Sequence, residues 1–420
     1  MKKGLNLYIM FSMKRIDLPE NVTYIIDTLQ AAGFEAYAVG GCVRDTLLSR
    51  VPGDWDITTN AQPADTKRLF RYTVDTGIEH GTVTVLCYDE KNRSAPPETF
   101  EVTTYRIDGA YSDGRHPDSV TYTGELREDL RRRDFTINAM AYNSESGLVD
   151  LFSGQEDLEN KTVRCVGDPD ERFNEDALRI LRAVRFAAQL GFSIEKNTED
   201  AVKRHAKRLS AVSKERIFTE LNKLLCSAHI DKLEKISELG LSPYIAPGFE
   251  NVKPVPSGLS LPAVPLEKKY LRYALIMRGM DKNTAKNILT ALKADTKTRD
   301  NASLLCSEAY TKLPCDRYLL KKYMSKMSPA QFEDLLYLKE LLNEEGISEI
   351  KTLYNDFSSK NEPVYMKDLV VTGADLLNAG VPEGKEVGRI LNAMLDDVRK
   401  DPIHNSVLYL FSQHCRTAKE

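Results

Sequence analysis

Hydrophobic and polar residues follow two different patterns along the chain. As far as about residue 150, runs such as GTVTVLCY (81–88) alternate hydrophobic with polar residues and predict strands, while NVTYIIDTLQAAGF (21–34) has helical periodicity. From about residue 170, helical periodicity dominates. Proline is concentrated in residues 241–266, which predicts an irregular connection there. The pattern predicts an α+β protein, in which a region of mixed strands and helices precedes a long helical region.

Composition narrows the class of protein. A chain of 420 residues predicts two to four domains, and 42% hydrophobic with 29% charged residues is typical of a globular protein. No apolar run approaches the length that spans a membrane. The seven cysteines include no C-x-x-C pair, which favours a reducing cytoplasm over a disulfide framework or a zinc site. The formal net charge is −4, so binding to nucleic acid would require segregated basic surface.

The first 13 residues differ from the rest of the chain. They begin with lysines and contain a brief apolar patch, but no small-residue cleavage site follows, so they do not match a signal peptide. We predict that residues 1–13 are an unstructured leader, or that the start has been placed too early and Met13 is the true first residue.

Two aspartates lie two residues apart in GDWDITT, at the start of a predicted strand. In a strand, Asp54 and Asp56 would share a face. Carboxylates this close repel each other unless one takes up a proton or a cation lies between them. Mg²⁺ commonly binds one or two carboxylates and completes its shell with substrate phosphates, so we predict Mg²⁺ here. A polar turn before a strand is the alternative interpretation.

A glycine pair precedes these aspartates in VGGCVRD, between a predicted strand and a predicted helix. Gly40 and Gly41 allow the backbone to approach a ligand closely, near a helix N-terminus that favours anions. Arg44 falls in the first turn of that helix, within reach of a phosphate. A phosphate site beside a metal site predicts phosphoryl or nucleotidyl transfer, in which positioning and charge neutralisation supply most of the catalysis.

Two further segments add charged residues. Glu101 lies in TFEVTTYRI, on a strand that would join the two aspartates if it lay beside theirs; a salt bridge at the surface is the alternative. LRRRDFTINAM carries three arginines into an apolar stretch. We expect Arg133 to meet a triphosphate, with Asp134 and Asn138 orienting nearby groups or the sugar.

The stretch NEDALRILRAVRFAAQLGF predicts one continuous helix with Asn174 as its N-cap. Asp176 and Arg179 are three residues apart and would therefore share a face, and Arg182 and Arg185 follow at the same spacing. An ordinary Asp–Arg helix pair is one interpretation.

Base recognition is the other interpretation of Asp176 and Arg179. An aspartate accepts hydrogen bonds and an arginine donates them in a planar fork. Cytosine and adenine each present an amino donor beside a ring acceptor, which matches this pair. Uracil and guanine present a carbonyl and an N–H at those places, and would be rejected. The pair therefore predicts selection of C and A without a nucleic-acid template.

In this order and spacing, VGGCVRD with GDWDITT, RRRDFTINAM and EDALRILRAVRF resemble the class II tRNA nucleotidyltransferases, the CCA-adding enzymes, which are related to bacterial poly(A) polymerases. The resemblance begins near residue 14 and extends to a tail segment similar to that of the compact bacterial type. It implies a polymerase-β-like head at 14–150, a helical neck at 151–240 that contains the base-reading helix, a body at 267–345 and a tail at 346–420, with the proline-rich connection at 241–266.

The resemblance also implies substrates and site residues. The substrates are CTP, ATP and the tRNA 3′ end; no membrane and no protein partner are implied, and the location is cytoplasmic. Asp54 and Asp56 would bind Mg²⁺, with Glu101 as a further catalytic acid. The nucleotide-binding residues would be Gly41, Arg44, Arg133, Asp176, Arg179, Arg182 and Arg185.

Residues 105–124 resemble the flexible head loop that CC-adding members lack, with Asp108, Gly109, Gly114 and Arg115 as its joints and charged groups. Addition of A alone stays open beside full CCA addition. HGTVTV (80–85) resembles the CCA-adding form rather than the poly(A) polymerase form. An RNA-binding protein on an inactive scaffold is the non-enzyme alternative.

We also expect tRNA to be held by its backbone and shape, so that its affinity falls as salt rises. The basic segments 203–216 and 267–279 are the predicted contact surfaces. A solvated helix face is the alternative for the first of them.

Overall fold

The computed structural model describes residues 15–89, 92, 94–109, 119–256 and 266–415. These residues form one compact unit that ends at Glu250 and a second that begins at Asn251. The division falls inside the predicted connection at 241–266. The predicted leader, residues 1–13, lies outside the described residues, as do Gly114 and Arg115 of the predicted flexible loop.

The first unit contains a seven-stranded mixed sheet and a separate hairpin. Its strands up to residue 150 are β1 (Ala36–Val39), β2 (Asp56–Thr59), β3 (Thr73–Gly77), β4 (Thr82–Cys87), β5 (Glu98–Thr104), β6 (Arg106–Asp108), β7 (Val120–Tyr122), β8 (Met140–Asn143) and β9 (Gly147–Asp150). The sheet order is β3-β4-β5-β2-β1-β8-β9, and β6 pairs with β7 alone. Only β2 and β5 run parallel within the sheet, so it is mixed.

Four helices accompany these strands: α1 (Glu20–Ala31), α2 (Gly41–Leu47), α3 (Pro63–Leu69) and α4 (Leu126–Arg131). α1 and α3 pack against each other and against strands of the sheet. Alternate strand residues such as Ile57, Val83 and Val102 are almost fully buried, as the alternating pattern predicts for a sheet with one face on the core. Chain direction in the sheet brings the end of β1 and the start of β2 together, because Val39 lies opposite Asp56.

After residue 150 the first unit is mostly helical. Its helices are α5 (Gly154–Glu159), α6 (Pro169–Glu175), α7 (Leu178–Leu190), α8 (Lys196–His205), α9 (Lys214–Leu225), α10 (Glu234–Glu238) and α11 (Ser242–Ile245). A short parallel pair, β10 (Thr162–Val163) with β11 (Ser193–Ile194), lies among them. The α+β class with a mixed sheet before a mostly helical remainder is confirmed.

The single helix predicted over residues 174–192 is interrupted in the structure. α6 ends at Glu175 and α7 begins at Leu178, and Asp176 between them has an extended backbone, with φ −138° and ψ 104°. Asn174 is therefore inside a helix and is not an N-cap, so that prediction was wrong. The cap of α6 is Asp168, whose side chain accepts a hydrogen bond from the Asp170 N–H (2.9 Å). Pro169 then occupies the first turn, a position that proline favours.

The second unit is helical. Its helices are α12 (Tyr270–Ile276), α13 (Lys282–Ala291), α14 (Thr296–Glu308), α15 (Arg317–Met324), α16 (Pro329–Leu341), α17 (Ile347–Ser359), α18 (Gly373–Asn378), α19 (Lys385–Lys400) and α20 (Val407–His414). Leu376, Met394, Val398 and Leu410 belong to a buried cluster that joins the last three. In the parts of the chain that the structure describes, no helix has both the length and the apolar character needed to cross a membrane.

Every residue of α12 is buried, which corrects one expectation about surface charge. Segment 267–279 was predicted to present basic surface to tRNA. Instead, Lys268 pairs with the buried Asp334 (2.8 Å), and Arg278 donates to the carbonyl oxygens of Leu275 and Pro254. Arg272 and Arg278 are therefore buried and not presented at the surface, whereas Lys268 and Lys269 remain partly exposed.

Candidate active site

One cavity in the first unit brings together most of the predicted site residues. Its volume is about 490 Å³. Seven arginines and four aspartates line it, so its walls carry a net positive charge. The lining residues are Gly40, Gly41, Arg44, Asp54, Asp56, Arg132, Arg133, Asp134, Asn138, Asp176, Leu178, Arg179, Arg182, Arg185, Phe186 and Arg216.

The glycine pair forms the turn between β1 and α2. Gly40 has a φ of +84°, which is unfavourable for residues with a side chain. A Cβ atom at this position would lie 3.0 Å from Nη1 of Arg133. Glycine therefore serves two purposes here: it permits the turn, and it leaves room for the Arg133 guanidinium beside the backbone.

Asp54 and Asp56 both line the cavity, although only one of them is in a strand. β2 begins at Asp56, and Asp54 lies in the exposed segment before it, so the expectation that strand pleating aligns the two was wrong. Burial and the negative charges of Asp54 and Glu101 raise the pKa of Asp56 to about 6, against the opposing effect of Arg133. The two carboxylates are therefore close enough for charge repulsion to matter.

This donor set fits a divalent cation. A cation between Asp54 and Asp56 would relieve their repulsion, and a hard cation completes its shell with water and substrate oxygens. Within the described residues, no group of three or more His, Cys, Asp or Glu side chains is arranged to hold a metal ion. The protein thus offers two carboxylates and leaves the remaining coordination positions to other ligands.

Glu101 is the neighbour of Asp56 in the sheet but does not line the cavity. The parallel pairing of β2 with β5 sets Asp56 opposite Glu101. Phe100 and Val102 point to the core and are buried, whereas Glu101 is exposed. The adjacent strand predicted from the sequence is therefore present, and Glu101 acts on Asp56 through its charge.

A chain of hydrogen bonds crosses the cavity wall from Arg44 to Arg182. The Arg44 guanidinium donates to Oδ1 of Asn138, and Nδ2 of Asn138 donates to Oδ1 of Asp134 (3.0 Å). Nε of Arg182 donates to Oδ2 of Asp134 (2.8 Å). Burial acts to raise the pKa of Asp134, but Arg182 and the Asn138 hydrogen bond outweigh it and hold that pKa well below its usual range. Asp134 is therefore an ionised acid that holds two sides of the site together.

Asp129 anchors the arginine run. Its fully buried carboxylate accepts hydrogen bonds from Nη2 of Arg132 (2.7 Å), Nη2 of Arg133 (3.2 Å) and Oγ1 of Thr58 (3.1 Å). Burial would raise the pKa of Asp129, but the two arginines lower it. Because Thr58 belongs to β2, this acid ties both arginines to the strand that begins with Asp56.

Asp176 and Arg179 both line the cavity, but they do not pair with each other. Arg216 donates to Oδ2 of Asp176 (2.8 Å), and the Leu178 N–H donates to Oδ1 (3.0 Å). Arg179 donates from Nη1 to Glu175 (2.6 Å) and from Nη2 to the carbonyl oxygen of Arg132 (2.9 Å). The simple helix pair considered from the sequence is therefore wrong, because the helix break at Asp176 separates the two side chains.

Phe186 lies among three guanidinium groups. The Cζ atoms of Arg44, Arg182 and Arg185 lie 5.2, 5.3 and 3.6 Å from its ring centroid. Nε of Arg185 also donates to the buried Glu220 (2.7 Å). An aromatic ring attracts cations to its face, so Phe186 helps to hold this cluster of like charges together.

Comparisons with known proteins show the family of this chain. Residues 36–164 match the family described as the poly A polymerase head domain, and residues 191–253 match the family described as a probable RNA and SrmB-binding site of polymerase A. The chain is 37% identical over 412 residues to the CCA-adding enzyme of Enterococcus faecalis. The aligned region covers 94% of this chain and 96% of that protein. This chain belongs to the CCA-adding enzyme family.

Other CCA-adding enzymes extend the likeness. The protein of Bacillus velezensis is 36% identical over 383 residues, covering 88% of this chain and 92% of its own length. The crystal structure of the Bacillus stearothermophilus CCA-adding enzyme in complex with CTP has a TM-score of 0.76 and 30% identity, and covers 93% of this chain and 96% of that one. The family predicted from the sequence motifs is confirmed.

The predicted flexible loop of this CCA-adding enzyme family member is described only at its base. β6 and β7 form an antiparallel hairpin there, and Asp108 at the end of β6 lies opposite Val120. The Asp108 carboxylate is 3.0 Å from Nε of Arg106 and 3.7 Å from Nη1 of Arg132. Gly109 continues the hairpin by donating its N–H to the Ser119 carbonyl (2.9 Å).

Four residues in or beside the cavity were not predicted to belong to the site. Arg132 belongs to the arginine run noted in the sequence, but neither it nor Phe186 was singled out. Arg216 was assigned to basic surface, and Glu220, one turn later on α9, was not singled out. Arg216 and Glu220 lie 40 and 35 residues beyond Asp176 and Arg185, the residues they contact, so no local pattern indicated the contacts.

Proposed function

We propose that this protein adds C, C and A in turn to the 3′ end of tRNA, using CTP and ATP without a nucleic-acid template. The observation that carries the proposal is the meeting, in one cavity, of the acids Asp54 and Asp56 with the base-reading candidates Asp176 and Arg179. Relatives similar along almost the whole chain are CCA-adding enzymes.

Asp54 and Asp56 hold the divalent cation, which we propose is Mg²⁺. When bound, Mg²⁺ polarises the phosphoryl group that is attacked and neutralises the charge that develops on its oxygens. The half-buried carboxylate of Asp56 would hold the cation at the start of β2. Both acids must be ionised to act, and the raised pKa of Asp56 means that cation and proton compete for it.

The arginines bind the triphosphate. Arg44, Arg133, Arg182 and Arg185 line the cavity with the two acids. Each arginine is held by an acid or an amide of the protein, so little side-chain entropy is lost when the nucleotide enters. In nucleotidyl transfer, such positioning and charge neutralisation supply most of the catalysis.

Asp176 and Arg179 select the base. Asp176 accepts a hydrogen bond from the amino group of cytosine or adenine, and Arg179 donates to the ring acceptor beside it. Uracil and guanine would set oxygen against carboxylate and N–H against guanidinium. One such pairing is worth about 1–3 kcal/mol of discrimination, and a desolvated mismatch costs more. A single pair of residues can therefore admit both CTP and ATP.

The alternatives differ in their substrates. Full-length similarity to CCA-adding enzymes favours complete CCA addition over addition of A alone, over poly(A) synthesis and over RNA binding without catalysis. The seven free cysteines support the cytoplasmic location that we propose.

The proposal can be tested with three tRNA transcripts that end before CCA, after C and after CC. Each is offered separately with each nucleoside triphosphate and Mg²⁺. With single triphosphates, full CCA addition extends the first two transcripts with CTP and the transcript ending in CC with ATP. With CTP and ATP together it completes all three transcripts and then stops. Extension only of the transcript ending in CC would identify an A-adding enzyme, and continued addition of A to unrelated RNA a poly(A) polymerase. No extension at all would leave RNA binding as the function.

A further inference from the structure

We infer that Arg216 is a positioning residue for base selection, which acts by holding the carboxylate of Asp176 at the cavity wall. The inference deepens the proposed function and rests on it.

Asp176 has an unusual place in the chain. It lies in the break between α6 and α7, so no regular helical ladder determines where its side chain points. Two donors hold the carboxylate, one on each oxygen: the Leu178 N–H on Oδ1 (3.0 Å) and the Arg216 guanidinium on Oδ2 (2.8 Å). An ionised carboxylate has about four acceptor positions, so about two remain for the amino group of a base.

Arg216 reaches Asp176 from a different helix. It lies in the first turn of α9, which packs against α7. One turn later on α9, Glu220 accepts a hydrogen bond from Arg185 (2.7 Å). α9 therefore presents an arginine and a glutamate to one wall of the cavity, and each holds a site residue of opposite charge.

The two base-reading residues have separate partners. Residues three apart near a helix N-terminus commonly form an ion pair. Here Arg216 holds Asp176, while Glu175 (2.6 Å) and the Arg132 carbonyl oxygen (2.9 Å) hold Arg179. A direct pair between Asp176 and Arg179 would consume the acceptor and the donors that the base requires.

The decisive variant is Arg216→Met, which removes the donor and the charge but keeps the length of the side chain. Arg216→Lys keeps the charge as a single point and loses the planar fork. The control is Arg164→Met, because Arg164 also pairs with an aspartate of the first unit, Asp157 (3.1 Å), but does not line the cavity. Thermal unfolding establishes that each variant is folded.

Two quantities are measured for the parent and each variant: the ratio of kcat/KM for CTP over UTP on tRNA, and the ratio of the equilibrium dissociation constants for UTP over CTP without tRNA. We expect Arg216→Met to lower both ratios by about tenfold or more, Arg216→Lys by about threefold, and Arg164→Met to leave them unchanged. If Arg216→Met does not fold, Arg216→Lys decides.

The inference is overturned if the Arg216 variants weaken CTP and UTP use by the same factor, since Arg216 would then supply only charge for the triphosphate. A parent protein that binds CTP in preference to UTP but adds no nucleotide would refute the proposed function alone. The binding ratios of the variants would still decide the role of Arg216. A parent without any preference for CTP would refute the inference.

Discussion

Asp56 lies directly opposite Glu101 across the parallel strands β2 and β5. This register places Glu101 beside Asp56 in the sheet, although the Glu101 side chain is exposed to solvent. Asp54 and Asp56, which line the cavity, and Glu101, which does not, should therefore respond differently to substitution.

Replacement of Asp54 or Asp56 by alanine should reduce nucleotide addition by about 10²-fold or more, because the cation that neutralises the transferred phosphate loses a ligand. Glu101→Gln should cost less, about tenfold in the apparent affinity for Mg²⁺, as expected of a neighbour that tunes a ligand. Addition rates over a Mg²⁺ titration measure both effects, and filter binding should give an unchanged tRNA affinity. Near-normal turnover of Asp54→Ala or Asp56→Ala would refute the assignment.

Asp134→Asn should destabilise the first unit by about 2–4 kcal/mol at neutral pH, because Arg182 loses a buried anion. The pKa of Asp134 is held below its usual range in the folded protein. The ionised carboxylate therefore stabilises the fold fully at any pH above its unfolded-state pKa of about 4. This stabilisation is lost only as the pH falls through the lower pKa of the folded state. Denaturant unfolding should therefore show the same parent–variant difference from pH 5 to pH 8. A difference that disappears between pH 6 and pH 7 would point to another group.

Shortening the loop within residues 105–124 should stall products one nucleotide short, with C addition largely retained. Asp176 and Arg179 must accept two bases of different size. A movable segment is therefore required to adjust the position of these two side chains. The structure suggests a route: Asp108 lies 3.7 Å from Arg132, whose carbonyl oxygen accepts a hydrogen bond from Arg179 (2.9 Å). Gel analysis of products with CTP alone and with CTP plus ATP measures the effect. Equal losses of C and A addition would indicate a purely structural hairpin.

The two basic segments should respond differently to substitution. Lys203 and Lys207 are exposed, so their replacement by glutamine should weaken tRNA binding and reduce its salt dependence. Lys268→Met should instead destabilise the second unit by about 1–3 kcal/mol, because the buried Asp334 would lose its ion pair and, among the described residues, would keep the hydrogen bond from Tyr270 (2.7 Å). Binding at several salt concentrations and thermal unfolding distinguish the two effects. Unchanged tRNA affinity of the Lys203 and Lys207 variant would leave that segment a solvated helix face.

Much of the site follows from the sequence alone, for a local physical reason. The glycine pair between a strand and a helix predicts a turn with backbone close to a ligand, and the D-x-D stretch predicts two carboxylates in repulsion. Both expectations depend on residues within a few positions of each other. The family, the mixed sheet and the helical remainder follow from motifs and periodicities of the same short range.

Tertiary structure decided the partners of those residues. The hydrophobic pattern of residues 174–192 fits one helix as well as two, and only packing against α9 places Arg216 on the carboxylate of Asp176. The burial of Tyr270 at the start of α12 likewise depends on Asp334, an acceptor that lies 64 residues later in the chain. Periodicity predicts which side of a helix is apolar. It does not predict which distant groups will pair with the charged side chains of that helix. Because a buried charge is stable only when it is paired, those partners were determined by the assembled fold and not by the local sequence.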